Sequence, residues 1–188
     1  MRTRCLLLAL ILVSTPALAG PPQGTAEWVT QAVLQMPDSL RVRLLATLAR
    51  GDIPGAIALW ELETGHDAPQ WLLAFQSAFS VANQKAGPCV QVAKSVFEGF
   101  KQLGANPTYV RFTTTVVRRG DNFMAFDLRA GDPSSAIQIS DNALHFVVQV
   151  EGKLYDAMTG PMGLTIAEYM KRLNSPGSIS MQTASQLP

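Results

Sequence analysis

Three residues of the types that carry nucleophilic catalysis follow one another along the chain: Cys89, His145 and Asp156. A thiolate attacks a carbonyl carbon, an imidazole takes and returns a proton, and a carboxylate holds that imidazole in its useful tautomer. Cys89 follows Gly87-Pro88 and opens a stretch in which Val92, Val96, Phe100 and Leu103 recur at helical spacing. With Gly87 as N-cap and Pro88 as the first helical residue, Cys89 is the second. There the helix dipole and the unpaired N–H groups of the first turn favour thiolate over thiol. The same N–H groups are placed to hold a developing oxyanion. Among side chains, Gln84 and Asn83, just upstream, are the candidates for that role. A free cysteine is ordinarily a small buried hydrophobe. Cys89 departs from that expectation through its position and its solitude.

The imidazole and the carboxylate belong to neighbouring strands. In Leu144–Val150 the odd positions put His145, Val147 and Gln149 on one face. A two-residue loop at Glu151-Gly152 pairs Val150 with Lys153, and Asp156 then opposes Val147, one diagonal step from His145 on the same face. A three-residue loop would slip the register and turn Asp156 away.

The setting of the cysteine follows from the first residues. Arg2 and Arg4 precede an apolar run, Cys5 to Val13, then Pro16 and Ala17-Leu18-Ala19. This is the layout of a secretory signal cleaved after Ala19, and its apolar run is too short to span a bilayer. The protein is therefore expected to be exported, periplasmic or secreted, without stable membrane insertion after cleavage. Cleavage removes Cys5 and leaves Cys89 as the single cysteine of the exported part, which in an oxidising compartment marks an intermolecular bridge or a reactive thiol. It also removes two of the 15 basic residues, leaving 13 against 14 acidic, a net charge of −1. That balance carries no electrostatic footprint for nucleic acid. Two histidines and one remaining cysteine offer no metal-ligand spacing, and no glycine loop cradles a phosphate, so no metal and no cofactor are expected. His66 reads as a surface turn residue and Arg119-Gly120-Asp121 as a turn.

Helices come first. Trp28, Ala32, Val33 and Met36 share helical spacing, Leu40 to Leu48 continue until Gly51, and Ile53 to Leu62 makes a third short helix with Pro54 in its first turn. Trp71, Phe75 and Phe79 form one core stripe. After the Cys89 helix, ended by Gly104, the period changes to two. Tyr109–Val117, Phe123–Leu128, Ala136–Ile139, Leu144–Val150 and Lys153–Ala157 read as strands of an antiparallel sheet. Thr165-Ile166-Ala167-Glu168 is a capping box that opens a last helix. Residues 174–188, without charge or apolar periodicity, read as a mobile tail. The fold class is α+β. Its organisation is a signal over 1–19, a helical region over 20–81, a catalytic domain over 82–173 and a flexible tail over 174–188.

A cysteine at a helix start, then strands, then His in a strand and Asp in the next resembles the papain-like cysteine hydrolase superfamily, and within it the compact bacterial papain-fold toxin domains. Gly87-Pro88-Cys89, Leu144-His145-Phe146 and Leu154-Tyr155-Asp156-Ala157 carry the resemblance, which covers about Ala82 to Leu173. The Cys-Gly-Ser-Cys-Trp surroundings of a papain-type protease are missing, since Val90-Gln91-Val92 follows Cys89. The resemblance implies acyl-transfer chemistry on a protein or peptide substrate. The product would be an exported protease, deamidase or transglutaminase-like enzyme, an effector or toxin with an immunity protein as partner. Two other readings stand beside it: a cell-wall peptidoglycan amidase or endopeptidase, and an inactive periplasmic binding module in which Cys89 is merely buried.

Overall fold

The computed structural model describes residues 36–188 apart from Val117. The export segment and the residues Trp28, Ala32 and Val33 lie outside the described residues, as does Val117; the strand expected to reach it ends at Thr114. Glycines end the first two helices where the chain must turn. α1 (Asp38–Ala49) stops before Gly51, at φ +80°, and α2 (Ile53–Thr64) ends at Gly65 in the left-handed region. Asp52 caps α2 by accepting from the Gly55 N–H at 2.9 Å. α3 (Gln70–Ala78) and α4 (Cys89–Gln102) follow. Trp60 and Trp71 meet edge to face, and Phe75 does the same with Phe100, so α2, α3 and α4 share a core. Phe79, one residue past α3, is half-buried. The helical region is thus no separate module: the described residues belong to one compact unit.

Gly99 makes the α3–α4 contact possible. A Cβ there would collide with the Phe75 ring, which is fully buried. Gly99→Ala is expected to lower stability by about 1–3 kcal/mol, as overpacking does, despite alanine's better helix propensity. A denaturant midpoint unchanged or raised relative to the parent chain would contradict this.

The strands are β1 (Thr108–Thr114), β2 (Met124–Asp127), β3 (Ala136–Ser140), β4 (Leu144–Val150), β5 (Lys153–Tyr155), β6 (Leu164–Thr165), β7 (Leu173–Asn174) and β8 (Ile179–Ala184), with α5 (Ile166–Arg172) between β6 and β7. The protein is α+β, as its pattern implies. The strands do not form one sheet in sequence order, however. One antiparallel sheet runs β6-β5-β4-β1-β8 and a second runs β3-β2-β7. β1 finds β4, not its sequence neighbour β2, because the β2–β3 pair leaves for the second sheet. The β4–β5 loop is as its sequence predicts: Val150 pairs with Lys153, and Glu151 and Gly152 both have positive φ. That is the two-residue turn whose twist matches the strands.

Residues 174–188 are not a loose tail. β7 joins the second sheet, and β8 pairs with β1 from Tyr109↔Ala184 to Thr114↔Ile179. β8 is held by backbone bonds along a sheet edge while its middle side chains face solvent. A strand that buries neither face leaves no apolar alternation to read. No helix among the described residues is long and apolar enough to cross a membrane.

Candidate active site

Register sets the faces of the larger sheet. Tyr109, Val148 and Tyr155 lie side by side on one face, and α4 covers them, Phe97 stacking on Tyr109 and Phe100 tilting onto Tyr155. Phe112 and His145 are paired on the other face. There Tyr169 of α5 stacks on Phe112 and touches Phe126 of the second sheet. The body of the cysteine helix and the imidazole are therefore on opposite faces, and the thiol reaches His145 by a route the sequence does not reveal.

That route is the open edge of β4. Thr114 N–H donates to the Ala143 carbonyl, which sets the phase of the β1–β4 ladder. By alternation the Phe146 N–H points away from β1, toward the side where β5 lies. β5 covers β4 only from Val150 to Val148, so at Phe146 the edge is bare. The Cys89 thiol lies near that edge, where the backbone N–H groups of Phe146 and of Val90 in its own first turn lower its proton affinity. An edge N–H lies in the plane of the sheet. At that edge the thiol of the helix start and the imidazole of the opposite face come near enough to influence each other. Pro88, not Gly87, is the N-cap, so Cys89 is the first helical residue, one position earlier than expected. It remains among the unpaired N–H groups of the helix start.

His145 and Asp156 are buried, 4 % and 2 % exposed, and His145 Nε2 stands 3.0 Å from Asp156 Oδ2. A carboxylate only accepts, so this bond puts a proton on Nε2 and turns Nδ1 toward other work. Nδ1 has no partner of full hydrogen-bond geometry, and the Cys89 thiol is near enough for each group to shift the other's proton affinity. Burial pushes the thiol up, but the nearby imidazole of His145 and the backbone N–H groups of Phe146 and Val90 outweigh it, and Cys89 falls below the ordinary thiol value. Burial pulls His145 down, yet Asp156 and the thiolate raise it to about 9. Between those two titrations the pair rests as thiolate and imidazolium.

Asp156 is fully engaged. Its Oδ1 accepts from the Met158 and Thr159 N–H groups, each at 2.9 Å, and its Oδ2 accepts from His145 and from the Tyr169 hydroxyl at 2.7 Å. Tyr169 is the site residue that sequence reasoning misses. It is fully buried, and burial together with the Asp156 charge pushes its phenol well above the usual range. Its visible signal is the capping box one residue before it, in which Thr165 Oγ1 accepts from Glu168 N–H and Glu168 Oε2 accepts from Thr165 N–H. That box fixes where α5 starts and hence which residue meets Asp156.

The upstream amides each donate to a backbone carbonyl. Gln84 Nε2 donates to the Ala157 carbonyl at 3.1 Å, bracing the segment before Cys89 against the one after Asp156, with one N–H left over. Asn83 Nδ2 donates to the Ser77 carbonyl at 2.8 Å and closes the end of α3. Among the described residues no group of three or more acidic, cysteine or histidine side chains is placed to hold a metal ion. Chemically, the assembled groups form a preset nucleophile with an adjacent proton donor. Compared with family models, curated proteins and solved structures, the chain matches none.

Proposed function

We propose that the protein is a cysteine hydrolase of papain-like type acting on peptide or glutamine amide bonds, exported from its cell as an effector or toxin. The observation that carries this reading is the buried His145–Asp156 pair beside a cysteine whose proton affinity is lowered. In the first half-reaction the Cys89 thiolate bonds to the amide carbonyl carbon and the carbonyl pair moves onto oxygen. First-turn N–H groups of α4, with the spare N–H of Gln84 as a side-chain candidate, support that charge. The pair returns, the C–N bond breaks, and the amine leaves with the proton from His145. In the second, His145 takes a proton from water as the water oxygen bonds to the thioester carbon, the C–S bond breaks, and the carboxylic acid departs with thiolate and imidazolium restored. Asp156 holds the imidazole in place. Peptide cleavage and glutamine deamidation differ only in which amine leaves.

Titration of reactivity tests it. Iodoacetamide should label native Cys89 at pH 6 faster than a free thiol, along one acid limb that lies below the ordinary thiol value and stays level through pH 9. Turnover of fluorogenic peptide or glutamine amides should share that limb and also fall above about pH 9, where His145 loses the proton it must give. A thiol that reacts only after denaturation would leave Cys89 a core residue and the enzyme reading without support.

A further inference from the structure

A second opening at Cys89 lies on the α4 face of the sheet. Cys89, Val90, Ile139, Leu144 and Phe146 line a small cleft there, and Pro188 lines it with them. Ser140, Asp141 and Asn142 form the rim. Ser140 Oγ donates to Asn142 Oδ1 and accepts from the Leu144 N–H, each at 3.1 Å, and Ala143 beside them is held at φ +63°. The rim is thus fixed by its own hydrogen bonds in a conformation that alanine rarely adopts. Asp141 is the one charged lining residue.

The path of Ser185–Pro188 explains why Pro188 is there. β8 ends at Ala184 beside Tyr109, and the next four residues run over Arg111 and Phe146. From β8 across β1 to β4 is two inter-strand steps, about 10 Å, and four extended residues reach about 13 Å. The chain therefore already crosses this face, bending at Ser185 and Gln186, and brings Pro188 to the cleft beside Cys89, with Leu187 half-buried and Pro188 still exposed.

We propose that this cleft is the subsite for an apolar residue of an extended peptide substrate, and that residues 185–188 of this chain occupy it between turnovers. The inference rests on Cys89 being the nucleophile. An apolar side chain loses water against Ile139, Leu144 and Phe146, whereas an acidic one forgoes that gain and meets the Asp141 carboxylate at the rim. The substrate and the chain's own segment compete for one place, so access to the sulfur depends on how often that segment is away.

Labelling of Cys89 in the full exported chain, in a chain ending at Ala184 and in full-length Pro188→Asp tests this. The probes are iodoacetamide and peptidyl chloromethyl ketones carrying Leu or Glu beside the reactive carbon. If the segment is docked about nine-tenths of the time, the Leu probe should label both variants about tenfold faster than the parent chain. Added Ser-Gln-Leu-Pro peptide should slow the shortened chain again, and the Glu probe should be slower than the Leu probe by about tenfold or more on it. Pro188→Asp keeps every strand, so loss of fold in the shortened chain would leave the test intact. Equal Leu-probe rates in all three proteins, with iodoacetamide still labelling each, would overturn the occupancy and spare the nucleophile. Equal Leu and Glu rates on the shortened chain would overturn the apolar subsite. Failure of iodoacetamide to label any of them would end this inference together with the hydrolase reading.

Discussion

Cys89→Ala should remove turnover altogether, a loss on the order of 10⁶ in kcat, while leaving the denaturation midpoint close to that of the parent chain. The nucleophile is lost outright, yet the replacement is small and sits at a helix start, and the buried imidazole keeps Asp156 as its partner. His145→Ala should be nearly as damaging to turnover, because groups that act as one unit do not contribute separately. It should also change the thiol in a way that a purely structural histidine would not. Burial is the largest influence on Cys89 and raises its proton affinity, and His145 supplies the main opposition. Without the imidazole the burial remains and its compensation is gone, so the acid limb of alkylation should move up, toward or beyond the ordinary thiol value. Labelling at pH 6 that is as fast in His145→Ala as in the parent chain would show that the two side chains do not communicate.

Removing Asp156 should have the largest effect on the fold. Asp156→Ala strands two backbone N–H groups, the Tyr169 hydroxyl and His145 Nε2, all in a site that is 2–4 % exposed at its centre. Each buried donor left without an acceptor costs about 1–3 kcal/mol, so a loss above about 4 kcal/mol is expected, in the range reserved for broken buried networks. Asp156→Asn keeps an acceptor oxygen for the Met158 and Thr159 N–H groups, but the NH2 on its other side donates and can accept from neither Tyr169 nor His145. Stability should fall less, and turnover should fall on the order of 10⁴, short of the loss in Cys89→Ala, as the imidazole takes the wrong tautomer. Thermal and denaturant unfolding of both variants, beside turnover of Asp156→Asn, checks this. An Asp156→Ala chain as stable as its parent would contradict the network.

The sequence by itself determined the parts of this protein that local chemistry controls. Gly87-Pro88 starts the cysteine helix to within one residue, Thr165 and Glu168 start the last helix, and Glu151-Gly152 makes a two-residue turn. Because side chains alternate with a period of two, that turn alone decides that His145 and Asp156 share a face. Only the tertiary structure decided what lies between those parts. Phe146 N–H is open to the thiolate because β5 ends at Tyr155, and the end of one strand is set by its partners and not by its own residues. Tyr169 reaches Asp156 because two sheets and α5 converge on Phe112 and Phe126, contacts between residues far apart in the chain. β8 was illegible for the opposite reason: it buries almost nothing, and its place is held by backbone hydrogen bonds that every residue type except proline can make.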